Sequence, residues 1–484
     1  MKKYWQERKR IIYLVSPALI GAIFLIMCFA NFGQSVNYSE SYNIHLTRND
    51  FAGVWNTSIA DATPPLYAFT LKTWAHFSGH SVVTMRALSA IFGAIAVVFA
   101  FLFLKYKYGS TVAIVSTFML AISPILVRSG QEIGPATMLL AIVFAATFFL
   151  QLALDSGKKY WWAIYVLLII AGMLTSHSAV FAWLAHLVYL ATIYKKDLTK
   201  QKFIYIYLLP IALYLPWMFA PARGVSSGLA MNNFTDFFSL SLLYDQASGV
   251  TNWLLLPYIA DMAIILILAI RYSNKAHLVS SFVAVPIASV VILSALPFQI
   301  SLAPQTLIYS AVSINVLAGI TLVLYAREKF AKKRKKNQKF FDRHPEIRIA
   351  FATIILVGVP IMGLISVYEK GNYNFETGKK TTVSELYENI VALDHFENLS
   401  IITPSRELYY ELSVYETYHH DVHYLENINM DEFLKDRDAV WYVDISPESG
   451  SLDSPREDMR ATTIAKMQFD DAADAVQILK LEKE

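Results

Sequence analysis

The chain has 484 residues, of which 55% are hydrophobic and only 16% charged, and its mean hydropathy is +0.42. A soluble protein of this length would carry about 25% charged residues, so the composition excludes a soluble globular protein, a disordered chain and a collagen-like fibre. The single cysteine, Cys28, excludes an intrachain disulfide and a cysteine-based metal site. The class that fits is a polytopic membrane protein.

Eleven apolar segments are long enough to be candidate membrane spans, since a hydrocarbon core about 30 Å thick requires about 20 helical residues. They are residues 11–33, 82–104, 111–127, 136–154, 161–176, 178–194, 203–220, 253–270, 277–297, 306–325 and 349–367. The first is too long for a signal peptide and no small-x-small cleavage site follows it, so we expect it to be retained.

The basic residues of the connecting loops predict the orientation. With the N-terminus in the cytoplasm, the inside segments hold 25 Lys and Arg, whereas the outside loops hold four: Arg48, Lys72, Arg128 and Arg223. We therefore predict a multi-pass protein of the plasma or inner membrane, with residues 1–370 as the membrane domain and 34–81 as its first outside loop. Because the basic residues lie in short loops between spans, we expect membrane lipids and not nucleic acid as their partners.

Residues 385–484 carry 23 acidic and 8 basic side chains, which separates them from the basic remainder of the chain. Stretches typical of helices (381–396, 405–417 and 454–466) alternate there with short β-rich runs at 399–402, 421–425, 439–445 and 475–481. This alternation predicts a small extracytoplasmic α/β domain over residues 380–484. His419, Asp421 and His423 would share one strand face, which favours a solvated surface over a metal site.

Two acids in the first outside loop, Glu40 and Asp61, are candidates for catalysis. One interpretation makes one of them a general base and the other its orienting or metal-binding partner. The other interpretation is a pair of ordinary loop acids. Spacing alone favours the second.

An ordered series of motifs resembles the GT-C superfamily of polyprenyl-phosphate-sugar-dependent glycosyltransferases, in the branch of protein O-mannosyltransferases and the aminoarabinose transferase (glycosyltransferase family 39-like). The series covers residues 10–325 and consists of Ser39-Glu40, Asp61-Ala62-Thr63-Pro64-Pro65-Leu66-Tyr67, Gln131-Glu132, Ser176-His177 and Tyr214-Leu215-Pro216-Trp217. The predicted topology, with eleven spans and an outside C-terminal domain, also agrees with this superfamily.

The chain departs from the family pattern at several positions. Ser39 stands where the family usually has its catalytic Asp, and Thr63 replaces a His. Gly134 and Ala136 replace an Arg and a Tyr of the second-loop motif, and Pro304-Gln305-Thr306 stands where many members have Arg-Tyr. Either Asp61 or Glu40 has become the base, or transferase chemistry has been lost.

The resemblance implies inverting transfer of a hexosyl or pentosyl group from a polyprenyl-phosphate donor to an extracytoplasmic glycan, lipid or protein. Asp61 and Glu40 are the candidate bases, Asp61 being preferred because its motif is better preserved. The candidates for donor and phosphate binding are Arg86, Arg128, Lys72, His177, Glu132 and Tyr67. No cofactor is implied, and a divalent cation stays open.

Each of these side chains also has a structural interpretation. Arg86 would be an interfacial anchor, Arg128 would pair with Glu132, Lys72 would snorkel from an amphipathic helix over 66–77, and His177 would be an interhelical polar residue. Tyr67 would be an aromatic of the membrane-interface belt.

Two alternative functions stay open beside the transferase. The first is a non-catalytic relative that acts as an accessory subunit or lipid-carrier binder. The second is a transporter or flippase of lipid-linked sugar, which the lack of recognisable repeated halves disfavours.

Overall fold

The computed structural model describes residues 2–61, 63–193, 209–215, 255–272, 275–294, 308–331, 344–370, 373–374, 379–380, 383–394, 399–415, 421–435, 437–447, 459–468 and 474–483. The chain divides into two compact units. The first contains Met1–Phe32 and Phe51–Glu369, and the second contains Gly33–Asp50 and Lys370–Glu484.

The first unit is helical, and its helices match ten of the eleven predicted spans in position. They are α1 (Lys2–Phe29), α3 (Phe51–Ala60), α4 (Leu66–Ser78), α5 (Val82–Tyr108), α6 (Ser110–Ala121), α7 (Pro124–Gln131), α8 (Ala136–Ser156), α9 (Lys159–Thr175), α10 (Ala179–Ile193), α11 (Leu255–Tyr272), α12 (His277–Ser294), α13 (Ile308–Ala331) and α14 (Pro345–Lys370). Of the predicted span 203–220, residues 209–215 are helical and the rest lies outside the described residues.

Within the described residues, four helices are long and apolar enough to cross a membrane, and a fifth span is formed if the bent pair α6–α7 is counted as one. Shorter apolar helices occur in α1, α9, α10, α11 and α12. The polytopic helical membrane class is confirmed. The sequence-based orientation stays a prediction.

Local sequence signals explain where several of these helices begin and end. The Ser81 hydroxyl accepts a hydrogen bond from the Thr84 amide at 3.2 Å and so caps α5. Gly109, at φ 87°, ends α5 and begins α6 in a conformation that a side chain would strain. Gly157, in the left-handed region, ends α8.

The second unit is an α/β structure whose sheet is covered on both faces. It contains α2 (Tyr38–Arg48), α15 (Val383–Leu393), α16 (Arg406–Tyr415), α17 (Met430–Phe433), a two-stranded ribbon of β1 (Tyr373–Asn374) and β2 (Lys379–Lys380), and the strands β3 (Ile401–Thr403), β4 (Val422–Tyr424), β5 (Ala439–Pro447), β6 (Met459–Gln468) and β7 (Asp474–Lys483). The five-stranded sheet has the order β4-β3-β5-β7-β6. The first three strands are parallel and the last two pairings are antiparallel.

Alternation along β5 builds the two cores of this unit. Trp441 and Val443 face α15 and α16, and the Trp441 indole donates to Asp394 at 2.7 Å. Val440 and Tyr442 lie on the other face with Leu479. Burial of both faces is what the continuous apolar run of β5 requires.

The structure corrects two sequence-based predictions in this unit, the type of one element and the extent of one loop. The helix predicted over 454–466 is wrong where the structure describes it, because Met459–Gln468 is a strand paired with β7 along its length. The hairpin partner outweighs the local preference, as is usual for a run that contains β-branched residues. The first outside loop is also divided, since Gly33–Asp50 belongs to the second unit and not to the membrane domain with the rest of 34–81.

Candidate active site

Side chains from three helices surround the C-terminal turn of α1. The Met27 carbonyl accepts hydrogen bonds from Gln131 Nε2 at 3.2 Å and from the Tyr368 hydroxyl at 2.6 Å. The Phe32 carbonyl accepts one from Arg86 Nη1 at 2.7 Å. The first two bonds satisfy a carbonyl that the helix end leaves without an intrahelical partner, and the third satisfies a carbonyl of the turn that follows α1.

Arg86 therefore does not fit the interpretation of an interfacial anchor. Its side chain is 2% exposed and lies inside the first unit. A buried guanidinium requires hydrogen-bond acceptors, and the Phe32 carbonyl, in the turn after α1, is one of them. Tyr368 and Asn31, whose Nδ2 donates to Gln131 Oε1 at 3.4 Å, join this cluster without having been predicted. No spacing in the sequence relates position 368 to position 27.

Arg128 and Glu132 form an ion pair at the end of α7. Arg128 Nε donates to Glu132 Oε1 at 2.7 Å, across the i,i+4 spacing that brings two side chains to one helix face. Arg128 is 7% exposed. The structural interpretation of this pair is confirmed, and the Arg128 charge is already partly balanced by the carboxylate.

Asp61 directly follows the last residue of α3, and its main-chain amide donates to the Thr57 carbonyl at 2.8 Å. The residue is half-buried. A carboxylate at a helix C-terminus faces the negative end of the helix dipole, which is unfavourable by about 0.3–1 kcal/mol. Helix stability therefore does not explain an acid at this position.

The helix α4 confirms the predicted amphipathic helix and carries Tyr67 and Lys72. Lys72 Nζ lies 5.3 Å from the centroid of the Phe51 ring of α3, a cation–π contact. Tyr67 is 3% exposed, which does not fit an aromatic at a lipid-facing surface. The interface-belt interpretation of Tyr67 is wrong for this reason.

Glu40 lies in the second unit, in the first turn of α2. The Glu40 amide donates to Asn37 Oδ1 at 2.9 Å, and the Asn37 amide donates to Glu40 Oε2 at 3.2 Å. This reciprocal pair is a capping box, and an acid in the first turn is favoured by the helix dipole. Helix stability thus explains Glu40. Because Glu40 and Asp61 belong to different units, their sharing one pocket stays a prediction.

His177 lies in the turn between α9 and α10, and its Nδ1 is hydrogen-bonded to the Tyr214 hydroxyl. The two rings meet edge to face, with centroids 5.9 Å apart. The interpretation of His177 as an interhelical polar residue is confirmed. Two of the sequence motifs, Ser176-His177 and the one that begins at Tyr214, therefore meet in space.

No group of three or more His, Cys, Asp or Glu is arranged to hold a metal ion within the part of the chain that the structure describes. Of the three residues considered on the sequence, His419 lies outside the described residues, Asp421 is exposed, and His423 lies half-buried on β4. His423 packs against the Phe433 ring at 4.7 Å between centroids.

Comparison with known proteins agrees with this architecture. A family model described as dolichyl-phosphate-mannose-protein mannosyltransferase matches residues 62–220, about a third of the chain. The crystal structure of apo ArnT from Cupriavidus metallidurans superposes with a TM-score of 0.58 over 95% of this chain and 97% of ArnT, at 13% identity.

The chain has the GT-C fold. ArnT from the same organism bound to undecaprenyl phosphate is similar to this chain with a TM-score of 0.54 and 14% identity, over 95% of this chain and 97% of that one. The Archaeoglobus fulgidus oligosaccharyltransferase in its apo form gives a TM-score of 0.50 at 14% identity, over 90% of this chain and 69% of that one. A search of curated proteins found no match.

Proposed function

We propose that this chain is a membrane glycosyltransferase that transfers a sugar from a polyprenyl-phosphate donor to an extracytoplasmic acceptor. The observation that carries the proposal is the similarity of fold to ArnT over nearly the whole of both chains, together with the mannosyltransferase family match that begins beside Asp61. One of the similar ArnT structures holds undecaprenyl phosphate, which supports a lipid-linked donor for this chain as well.

Asp61 is the proposed general base. It would take the proton of an acceptor hydroxyl while that oxygen forms a bond to the anomeric carbon and the bond to the lipid phosphate breaks, its electron pair leaving with the phosphate. Direct displacement inverts the anomeric centre. The position of Asp61 at the unfavourable end of α3 supports this role, because the helix dipole does not favour an acid there.

The leaving phosphate requires positive or hydrogen-bonding groups. Lys72 and His177 are the proposed groups that reach it, one as a cation and the other as a hydrogen-bond donor; in the structure Lys72 Nζ lies over the Phe51 ring and His177 Nδ1 is hydrogen-bonded to the Tyr214 hydroxyl. Arg128 would bind phosphate in competition with Glu132, which holds it at 2.7 Å. Arg86 and Tyr67 are buried, so we assign them positioning roles, Arg86 at the turn after α1 and Tyr67 within α4.

The test replaces Asp61 by a side chain of the same shape, which separates a catalytic base from an acid that only fills space. Asp61→Asn keeps the shape of the side chain and removes its basicity, so sugar transfer from a synthetic polyprenyl-phosphate-sugar should fall by about 100-fold or more, the usual contribution of a general base. Asp50→Asn, at the exposed loop acid before α3, is the matched control and should retain activity.

Glu40 is tested by two substitutions with different consequences. Glu40→Gln keeps an oxygen that accepts the Asn37 amide, so the capping box survives, whereas Glu40→Ala removes it. Full activity of Glu40→Gln and reduced stability of Glu40→Ala would assign Glu40 to structure. Loss of transfer in Glu40→Gln with Asp61→Asn active would move the base to Glu40 and overturn our assignment.

The second candidate is a lipid-carrier binder without turnover, favoured by Ser39 in place of the family's Asp and by the structural use of the Glu40 carboxylate. This candidate requires saturable binding of polyprenyl phosphate that Asp61→Asn does not change. It also requires that no donor-dependent transfer occurs to any offered glycan, lipid or peptide acceptor.

A further inference from the structure

A groove of about 580 Å³ lies between α6, α13 and α14 of the first unit. Val115 of α6, Leu322 and Phe330 of α13, and Ile349 of α14 form much of its apolar lining. Arg327 is the charged residue among those that line it. The volume is in the range of sites that bind small molecules, and the lining is that of a site for an apolar body with one anionic group.

The groove lies at the strongly basic end of α13. Arg327 is exposed, and Lys329 follows two residues later, with its Nζ 5.5 Å from the Tyr325 ring centroid. The sequence then continues into the run Lys332-Lys333-Arg334-Lys335-Lys336. Arg327 and Lys329 therefore place positive charge at this end of the helix, and the sequence that follows is strongly basic.

The acid in this turn is already neutralised from another helix. Glu328 Oε1 forms an ion pair with Arg271 Nη2 of α11 at 2.6 Å. The other carboxylate oxygen, Oε2, accepts a hydrogen bond from the Tyr272 hydroxyl at 2.6 Å. The Glu328 carboxylate is thus paired with Arg271 of α11, beside the Arg327 that lines the groove.

We infer that this groove binds an anionic phospholipid of the membrane leaflet that adjoins the basic loop. The acyl chains would lie along the apolar lining and the phosphate beside the Arg327 guanidinium. Basic pockets between membrane helices bind anionic lipid head groups, each basic side chain adding about 1 kcal/mol near the surface. The inference is independent of the proposed function, because it rests on the groove and its charges alone.

The experiment measures lipid retained by the purified full-length chain. The chain is reconstituted in nanodiscs of phosphatidylglycerol and phosphatidylcholine in equal amounts, extracted in mild detergent and weighed by native mass spectrometry. We expect phosphatidylglycerol to be retained preferentially. Arg327→Gln should weaken that preference about fivefold, the factor that corresponds to one basic side chain.

Two further variants make the result specific to the groove. Lys329→Gln removes the same charge two residues away and should weaken the preference clearly less than Arg327→Gln, because Lys329 does not line the groove. Ala326→Trp adds an indole to the lining without changing charge and should abolish retention.

Three results would overturn the inference. They are equal retention of the two lipids, equal effects of Arg327→Gln and Lys329→Gln, and displacement of phosphatidylglycerol by an equimolar polyprenyl phosphate. The second would assign the effect to diffuse charge, and the third would assign the groove to the lipid carrier.

Discussion

Two buried glutamates of the second unit, Glu40 and Glu411, differ in whether their carboxylates have a hydrogen-bond partner. The Glu40 carboxylate accepts a main-chain amide at the start of α2. Glu411 of α16 is 4% exposed, and its Oε1 has no hydrogen-bond partner among the described residues. Burial, and then the charges of Glu407 and Glu40, raise the pKa of Glu411 well above its ordinary value. Glu411 is thus held in its protonated form at pH values where an exposed Glu is ionised.

The raised pKa of Glu411 predicts that the second unit loses stability as the pH rises. Above the ordinary Glu pKa the unfolded chain releases a proton that the folded chain keeps, so the unfolding free energy falls by up to about 1.4 kcal/mol per pH unit until the folded pKa is passed. Hydrogen exchange of β3 and α16 peptides in the full chain, between pH 5 and 8, measures this slope.

Glu411→Gln should flatten that pH dependence, because the amide does not titrate. Glu388→Gln, at an exposed acid of α15, is the matched control and should leave the slope as it is. An unchanged slope in Glu411→Gln would assign the pH dependence to other groups.

At the scale of single elements, α6 and α13 approach each other closely at Gly319. A Cβ built on Gly319 would lie 2.5 Å from the Ser116 Cα and 2.7 Å from its Oγ. Ser116 is fully buried, so neither helix can relieve the contact by moving one flexible side chain. Small residues that allow such approach are typical of helix contacts in membranes.

Gly319→Ala should therefore destabilise the first unit by about 1–3 kcal/mol, as overpacking does. Gly358→Ala in α14, where a Cβ meets nothing within 4 Å, is the control and should be neutral or stabilising. Thermal unfolding in detergent ranks the two variants. Equal melting temperatures would show that α6 and α13 can move apart without loss of stability.

The bent pair α6–α7 illustrates what the pattern of apolar residues leaves open. The sequence predicted one span over 111–127, and the structure has two helices that meet at 57°. The bend lies at Ile122 and Ser123, directly before Pro124, which begins α7. Proline disfavours a helical conformation in the residue before it and has no amide to donate, so the helix ends there. Because of the bend, Arg128 and Gln131 point in a different direction from the one they would have at the end of a straight span, which is what hydropathy alone predicts.

For the whole molecule, the orientation in the membrane is a prediction from loop charge. The run around Lys332–Lys336 should face the cytoplasm and residues 380–484 the outside. Cys28 is the single cysteine, so Cys28→Ala provides a background without thiols.

In that background, Ser449→Cys should react with a membrane-impermeant thiol reagent on intact cells, and Asn337→Cys only after permeabilisation. The background alone should not react. The reverse pattern would invert the topology and with it the side of the membrane on which Asp61 acts.

Sequence alone determined the membrane class, the positions of ten of the eleven apolar segments, the α/β character of the C-terminal unit and the GT-C resemblance, because these depend on composition, apolar length and local motifs. Only the tertiary structure decided that Arg86 is buried and bonded to the turn after α1, that His177 contacts Tyr214, and that Gly33–Asp50 belongs with the C-terminal unit. The strand Met459–Gln468 likewise depended on its partner β7. The reason is the same in each case: hydropathy and propensity act along the chain, whereas the partner of a buried charge or a strand is supplied by residues far away in sequence.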